Sequence, residues 1–349
     1  MKSTESDSSE REMRNKEAFS YERAFEINLG IFSKAQQANI RKARILIVGA
    51  GGVGGVTAII LARTGVNNFV INDIDKFDPT NMNRQIGCFV DTIGRYKAEV
   101  IKEEILRINP EANVKHYNRR FDFDELAELL QECDVFIPTA DDFVYDAKAI
   151  MLAQKLKKLT VAWSPAGLWG YVTTFPPDSK SIIDPCEIFG SPHNISELDY
   201  DALNQFMENP FNRGARRWYL TSGKWRVGWF NKWRNGEVSH AQLCPSVWLG
   251  ASLACIEVVK YLTGKWKPVK APKIWHLQPA DNRIRVELFR RRTRYFNKII
   301  SFLMNIRLMN IGKWIKNNTS KQLSKELKKL EQQENDGKKV KYPFFWRFI

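Results

Sequence analysis

The chain has 349 residues, of which 44% are hydrophobic, and its formal net charge is +15. This length suits one large α/β domain with insertions or two domains, and the hydrophobic content excludes disorder throughout the chain. The charge is spread unevenly, because residues 290–349 hold 16 Lys/Arg and only 4 Asp/Glu. The basic character therefore belongs mainly to the C-terminal tail.

The cysteines and the N-terminal residues indicate the cellular compartment. The five cysteines are an odd number without a CxxC pair, which favours free thiols in a reducing cytoplasm. Residues 1–16 are polar and charged and lack the apolar stretch of a secretory signal. We therefore expect a cytoplasmic protein. The cysteines are Cys88, Cys133, Cys186, Cys244 and Cys255.

Strands and helices alternate along the first half of the chain. Strands are predicted at 43–48, 68–72, 114–117, 134–138 and 160–163. One or two helices are predicted within 17–40, and further helices at 53–64, 96–108, 124–130 and 146–157. This alternation predicts an α/β fold with a doubly wound, mostly parallel, Rossmann-like sheet.

The regular pattern stops after residue 175, where the chain becomes rich in proline, glycine, asparagine and aromatic residues. It resumes with a predicted helix at 245–262 and strands at 273–277 and 284–289. We accordingly divide the chain into five parts. They are an N-terminal helical lead (1–40), a Rossmann-like domain (41–177), an aromatic, basic insertion (178–243), the remainder of the Rossmann-like domain (244–289) and a basic C-terminal extension (290–349).

A glycine-rich turn follows the first predicted strand. Gly49, Gly51, Gly52 and Gly54 lie between that strand and a helix, in a GxGxxG arrangement. Glycines allow the backbone to turn tightly and approach phosphates, and the helix N-terminus favours anions. By itself the motif is equally typical of an NAD-dependent dehydrogenase.

Polar residues at set distances follow the turn. Asp73 ends the second strand, where a carboxylate binds ribose hydroxyls or simply caps a turn. A guanidinium such as that of Arg84 offers a planar fork to phosphate oxygens, although a surface charge is the alternative for each residue taken alone. Their order favours a triphosphate site. The full set is Asp73, Asn81, Arg84, Gln85, Lys97 and Asp141.

On these motifs, residues 41–175 and 243–289 resemble the ThiF/MoeB/HesA adenylating enzymes, the bacterial relatives of the ubiquitin-activating E1 enzymes. The resemblance implies an E1-like adenylyltransferase that uses ATP and Mg²⁺. In such an enzyme a substrate carboxylate attacks the α-phosphorus of ATP and pyrophosphate leaves. The product is an acyl-adenylate that a nucleophile then attacks.

The resemblance also implies roles for individual residues. Asp73 would hold the ribose, Asn81, Arg84 and Lys97 the phosphates, and Asp141 the Mg²⁺ ion. Asp142 stands where the family usually has asparagine. The segment 21–23 resembles the family's Y-x-R element, which implies that Arg23 reaches the ATP of the other subunit in a homodimer. An exposed helical arginine is the equally strong alternative for Arg23.

Two departures from the family concern cysteine. Many relatives hold a structural zinc with two CxxC pairs, but here Cys186 stands alone in the first position and no second pair follows. We therefore expect no zinc site. Cys186 and Cys244 are the candidates for a thioester cysteine, although burial as small packing residues is the more ordinary interpretation. Cys88, Cys133 and Cys255 are predicted to be packing residues.

Two basic, aromatic segments leave their roles open. Residues 213–234 hold seven Lys/Arg, no acid and four tryptophans, which suits an acidic peptide, nucleic-acid bases or a hairpin packed over a small core. Residues 296–316 suit an amphipathic helix at an anionic membrane, against a partner or in a dimer. The apolar cluster 342–346 is predicted to dock on the body of the protein.

Together these features predict adenylation of a carboxylate on a peptide, as in the enzymes that mature microcin C-type and pantocin-type antibiotics. In the pantocin-type case glutamate side chains would be activated, which suits a basic groove. The alternative substrate is the C-terminal glycine of a ubiquitin-like sulfur carrier. A second alternative is an NAD-dependent oxidoreductase, and a third is a non-catalytic E1-like scaffold whose tail contacts membrane or nucleic acid. Neither of these two is favoured, because each leaves the triphosphate ligands unused.

Overall fold

The computed structural model describes residues 19–179, 182, 183, 185, 216–288, 309–343 and 346. Within them, one sheet has the strand order β3-β2-β1-β4-β5-β6-β7-β8. The strands are β1 (Arg44–Val48), β2 (Asn68–Asn72), β3 (Asn113–Tyr117), β4 (Val135–Pro138), β5 (Leu159–Ala166), β6 (Trp169–Phe175), β7 (Lys273–Gln278) and β8 (Arg283–Leu288). The strands from β3 to β5 in this order pair with their neighbours in parallel, which confirms the predicted doubly wound α/β fold.

Helices cover both faces of this sheet. They are α1 (Tyr21–Ala24), α2 (Lys34–Lys42), α3 (Gly54–Thr64), α4 (Lys97–Ile108), α5 (Phe123–Glu132), α6 (Phe143–Lys155), α7 (Trp218–Thr221), α8 (Val227–Arg234), α9 (Cys244–Thr263) and α10 (Met309–Asn335). Short 3-10 turns lie at Glu26–Gly30, Pro79–Asn81, Val90–Thr92 and Pro279–Asp281. The predicted lead of one or two helices is therefore α1, a 3-10 turn and α2.

The central parallel strands β1 and β4 are buried because they are apolar along nearly their whole length. In β1 only Arg44 is exposed, and the four residues that follow it are buried. Such continuous apolar runs are typical of a parallel sheet that is covered on both faces. The carboxyl ends of β1, β2 and β4 consequently meet at one edge, where the glycine turn and Asp141 follow β1 and β4.

The other end of the sheet is antiparallel, from β5 through β6 and β7 to β8. The strand β6 was not predicted from the sequence. Its turn with β5 contains Gly167 at φ +66°, and a side chain there would collide with the Gly223 carbonyl and with Trp225. Glycine allows this close approach of two segments, and the sheet becomes mixed rather than parallel throughout.

The long helix α9 closes the core over the centre of the sheet. It contacts β5, β6, α3 and α2, and it is half buried, so its apolar length reflects a core helix. Glu257 is its fully buried charge and accepts hydrogen bonds from Lys260 Nζ at 2.6 Å, Val269 N at 2.6 Å and Trp275 Nε1 at 2.7 Å. These donors compensate the buried carboxylate, as burial of a charge requires.

A second hydrophobic core lies at the antiparallel end of the sheet and combines the insertion with the C-terminal extension. Trp225 and Trp233 are only 4% and 9% exposed there. From α10, Leu323, Leu327 and Leu330 pack into the same core. Trp346 is fully buried in it, which confirms that this end of the chain docks on the body.

The basic residues of the 213–234 segment also make contacts within the protein. Lys224 pairs with Asp281 at 2.9 Å, Arg226 lies 3.7 Å from Glu334, and Arg234 Nη2 donates to Ser324 Oγ at 3.1 Å. Arg217 lies 4.9 Å from the centre of the Trp346 ring. Packing over a small core, one of the three predicted alternatives, is therefore what the structure shows for residues 216–234. The rings of Trp225 and Trp233 are buried and are not exposed to a peptide or to nucleic-acid bases.

Several predicted features fall outside the described residues. Most of the 178–243 insertion before residue 216 does, as does most of the proposed amphipathic helix at 296–316. Phe344 and Phe345 of the terminal cluster also lie outside. The five-part division of the chain stays a prediction.

Removal of one α10 side chain tests the docking of the C-terminal extension. We expect Leu327→Ala to lower the free energy of unfolding by about 2–5 kcal/mol, because it leaves a cavity in the second core. The exposed neighbour Lys328→Ala is the matched control and should change it by less than about 0.5 kcal/mol. Urea unfolding measures both, and equal effects of the two variants would contradict the packing.

Candidate active site

The glycine turn forms the floor of the site. Gly49 has φ +98°, and a side chain there would collide with the Thr139 carbonyl after β4. A side chain at Gly54 would meet the Gly49 carbonyl. The turn therefore brings bare backbone to the N-terminus of α3, where unpaired N–H groups and the helix dipole favour a phosphate.

Asp73 connects this turn to the end of β2. It is buried, and its Oδ2 accepts a hydrogen bond from Ala50 N at 2.7 Å while Oδ1 accepts one from Asp75 N at 2.8 Å. Burial raises the pKa of Asp73, and the nearby Lys97 charge and the two backbone hydrogen bonds oppose that rise. The carboxylate thus acts as a turn cap in addition to standing at the predicted ribose position.

Lys97 is the first residue of α4, and its side chain is only 9% exposed. Its Nζ lies 2.9 Å from Asp75 Oδ2. Its charge influences both Asp73 and Asp141. The ammonium is therefore held between the ends of β2 and β4, as the phosphate-binding prediction requires.

Arg84 lies in the loop between β2 and α4. Its Nη1 donates to Thr80 O at 3.1 Å and to Asn83 Oδ1 at 2.8 Å, both of which are uncharged. Loss of solvent lowers the pKa of Arg84, and the Asp141 charge opposes that shift. Since no ion pair to Arg84 occurs within the described residues, its charge is available to an anion.

The loop that carries Arg84 is held by residues far along the chain. Trp248 Nε1 of α9 donates to Arg84 O at 3.0 Å, and Asn83 Nδ2 donates to Gln242 O at 3.1 Å. A side chain at Gly52 would lie 3.2 Å from Arg84 Cγ. The guanidinium stem consequently packs directly on the glycine turn.

Gln85 and Asn81 complete the loop. Gln85 is buried beside Gly51, whose Cβ would lie 3.5 Å from Gln85 Nε2. Its Oε1 is buried and has no hydrogen-bond partner in the described structure. Asn81 Oδ1 accepts a hydrogen bond from Asp78 N at 3.2 Å and so shapes the 3-10 turn. The orphaned amide of Gln85 suits a ligand at the glycine turn.

Asp141 follows β4 and adopts φ +60°, the left-handed region that non-glycine residues rarely occupy. Loss of solvent among the surrounding protein atoms raises its pKa, and the Arg84 and Lys97 charges oppose this. Strain of this kind is concentrated at functional sites. The conformation projects the Asp141 carboxyl from the strand edge toward those two cations.

Two further aspartates support that turn. Both Asp146 carboxyl oxygens lie 3.2 Å from Ala140 N, and burial raises the pKa of Asp146 to about 8. Asp142 Oδ1 accepts hydrogen bonds from Val144 N and Tyr145 N at 3.1 Å and so caps α6, while its Oδ2 pairs with Arg120 at 2.8 Å. Asp142 is thus a helix cap, a role that an asparagine also fills.

Arg23 does not join the other predicted residues within one chain. It is exposed on α1, and the neighbouring Tyr21 OH donates to Gly65 O, just beyond the C-terminal end of α3. The glycine turn lies at the opposite end of α3, whose 11 residues span about 16 Å. Arg23 therefore serves this type of site only from another subunit.

The donor set fits a nucleotide triphosphate with Mg²⁺. The glycine cradle, the free guanidinium and the buried ammonium suit phosphates, and carboxylate oxygens such as those of Asp141 are ligands that Mg²⁺ prefers. Among the described cysteines, Cys88, Cys133 and Cys255 are buried, which confirms their packing role, and Cys244 is half buried at the start of α9. Cys186 lies outside the described residues.

Sequence reasoning missed the residues that hold the site together. Asp146 lies one helical turn beyond Asp141 without a motif of its own. Trp248 and Gln242 contact the Arg84 loop across about 160 residues of sequence. A contact of that range leaves no local pattern, and only the fold reveals it.

Comparison with known proteins identifies the family. The chain matches the ThiF family over residues 23–296. It is 38% identical over 107 residues to a probable molybdopterin-synthase adenylyltransferase of Porphyra purpurea, which covers 31% of this chain and 28% of that relative.

Two solved structures share the fold over 72% of this chain and 65% of theirs. They are Escherichia coli MccB with ATP (TM-score 0.53, 18% identity) and PaaA (TM-score 0.52, 22% identity). Since the family match spans most of the sequence and the fold agrees, the chain belongs to the ThiF family.

Proposed function

We propose that this protein is an ATP-dependent adenylyltransferase that activates a carboxylate. The observation that carries the proposal is the grouping of Arg84, Lys97 and Asp141 around the glycine turn, where Arg84 forms no ion pair with any of the residues that the structure describes. The family match and the adenylyltransferase name of the curated relative support it. That relative is matched over less than a third of its length, so the activity is a proposal for this chain.

In the proposed reaction the protein binds and orients more than it reacts. Backbone N–H groups of residues 49–54 and the α3 N-terminus hold phosphate oxygens, and Asp73 lies where the ribose hydroxyls would be. Arg84 and Lys97 neutralise the negative charge that grows as pyrophosphate leaves. A substrate carboxylate oxygen attacks the α-phosphorus, the bond to pyrophosphate breaks, and an acyl-adenylate results. Positioning and charge stabilisation are sufficient for such a step.

Asp141 is the residue that would hold Mg²⁺. When bound, the ion supplies positive charge to the phosphate oxygens. The left-handed backbone at Asp141 and the Asp146 hydrogen bonds orient the carboxyl for this. An NAD-dependent oxidoreductase gains nothing from this set of charges, since a dinucleotide has no γ-phosphate to bind.

For the substrate we propose a peptide, with a ubiquitin-like carrier protein as the second candidate. The peptide is favoured by the fold shared with PaaA and with MccB, which was solved together with MccA and AMPCPP. The carrier is favoured by the identity to the molybdopterin-synthase adenylyltransferase. Acidic substrates suit the uncompensated cation at Arg84.

We also propose a homodimer in the cytoplasm. The exposed face of α9 next to Arg84 is apolar, with Trp248 and Ile256 two turns apart, and Leu243 and Met82 are exposed beside it. Apolar surface of this kind marks an interface. A second copy on this face would place side chains of the other subunit next to Arg84. Arg23 would have to occupy such a position to reach the ATP of the other subunit.

The direct test combines the protein, ATP, Mg²⁺ and a short acidic peptide encoded beside this gene, followed by mass spectrometry. We expect AMP and pyrophosphate, with a peptide that has lost water or gained AMP. Turnover only with a Gly-Gly-ended carrier protein would select the second candidate. Formation of ADP and phosphate would contradict adenylation altogether.

Substitution of the residues proposed to bind the phosphates and the metal gives the sharpest test of the site. We expect Arg84→Ala and Asp141→Asn each to lower pyrophosphate–ATP exchange at least about 100-fold, because each removes charge stabilisation from the transition state. Asparagine tolerates the left-handed backbone, so the turn at 141 is retained. The exposed controls Arg63→Ala and Asp124→Asn should keep full exchange, and full exchange in either site variant would reject the assignment.

Arg23 is tested by mixing subunits. We expect Arg23→Ala and Arg84→Ala homodimers to be inactive, whereas heterodimers contain one site in which both arginines are intact. Mixing the two variants should therefore restore up to a quarter of the wild-type exchange activity after subunits redistribute randomly. Full activity of Arg23→Ala alone would make Arg23 an ordinary surface residue.

A further inference from the structure

The segment between α8 and α9 connects the second core to the phosphate site. Trp229 Nε1 donates to Ser239 O at 3.1 Å, Gly167 N donates to Ala241 O at 2.9 Å, and Asn83 Nδ2 donates to Gln242 O at 3.1 Å. Hydrogen bonds on both sides of His240 thus hold this residue between the buried tryptophans and the loop that carries Arg84.

Three aromatic rings surround the His240 imidazole; we call Tyr219, Trp225 and Trp233 the aromatic cup. Their ring centres lie 4.9, 4.7 and 5.9 Å from the His240 ring, at interplanar angles of 76–88°. Edge-to-face contacts in this range orient a ring firmly. The Trp225 Nε1 atom in the same cup is buried and has no hydrogen-bond partner in the described structure.

The electrostatic surroundings keep this histidine neutral. Burial, reinforced by the positive charges of Arg216 and Arg84, lowers the pKa of His240 to about 3. A neutral imidazole carries one N–H donor and one acceptor. In the part of the chain that the structure describes, His240 is half-buried, and neither of its ring nitrogens has a hydrogen-bond partner.

We propose that His240 is a substrate-binding residue that donates a hydrogen bond to one oxygen of the carboxylate to be activated. The inference rests on the proposed adenylation and assigns the substrate side of that site. Arg84 supplies the positive potential that attracts the carboxylate, and the neutral imidazole adds direction without a further buried charge. With one oxygen held by the imidazole, the other is left to attack the α-phosphorus.

The first test measures carboxylate binding without turnover. Full-length protein with ¹⁵N-labelled histidine is titrated with sodium acetate, against acetamide and against sodium chloride at equal ionic strength. The His240 signal is assigned by its loss in His240→Gln. We expect acetate alone to shift that ring signal, because the Arg84 charge attracts the carboxylate but not the neutral acetamide, and chloride cannot replace a carboxylate oxygen as the directed acceptor. The same spectrum with acetate as with acetamide and chloride would overturn the proposal.

The second test separates a binding role from a packing role. With the carboxylate substrate that the wild type activates, His240→Phe should raise the KM for that substrate at least tenfold and leave the KM for ATP unchanged. His240→Gln, which keeps an N–H donor, should stay within about threefold of the wild type. Equal effects of Phe and Gln would refute the donor role.

The two proposals fail separately. Absence of pyrophosphate exchange in the wild type with every peptide and carrier would contradict the adenylation proposal. The acetate titration would still decide whether His240 binds a carboxylate.

Discussion

The arrangement of the site depends on two cations, Arg84 and Lys97, and the carboxyl of Asp141 being held close together at one edge of the sheet. Arg84, Lys97 and Asp141 follow β2, precede α4 and follow β4 respectively, so the parallel order of the strands brings them together. Uncharged acceptors hold Arg84, and Asp75 holds Lys97 at 2.9 Å. The Ala140–Asp146 hydrogen bonds hold the Asp141 turn. A triphosphate with its metal is the ligand that we propose for such an arrangement.

The second core extends this site toward a substrate. The insertion and the C-terminal extension do not stand apart as basic arms, because their tryptophans and leucines are buried together. Their connection to the nucleotide half runs through residues 239–248, which contact the Arg84 loop. A substrate that entered here would meet the Arg84 guanidinium and then His240, whose ring the buried aromatic cup holds in place. This arrangement would link the proposed chemistry to the proposed specificity.

The sequence predicts this fold well where local physics decides it. The continuous β-branched run at 43–48 predicted β1, and the alternation of strands and helices predicted the parallel part of the sheet. The order of the glycine turn, Arg84, Lys97 and Asp141 predicted a group of residues that the structure places at one sheet edge, and their binding of a nucleotide stays a prediction. Strand β6 was missed because its hairpin depends on Gly167 lying against Gly223. The basic, aromatic segment was misjudged because burial of Trp225 and Trp233 depends on leucines about 100 residues later. The left-handed backbone at Asp141 has no signal in an ordinary Asp-Asp dipeptide.

Transfer of oxygen tests the central claim most directly. A short acidic peptide encoded beside this gene, synthesised with ¹⁸O in its carboxylates, is incubated with the protein, ATP and Mg²⁺. Attack of the carboxylate on the α-phosphorus and later replacement of AMP by a nucleophile leaves one ¹⁸O atom in the AMP. The account predicts singly labelled AMP. Unlabelled AMP, or ADP as the only nucleotide product, would contradict it.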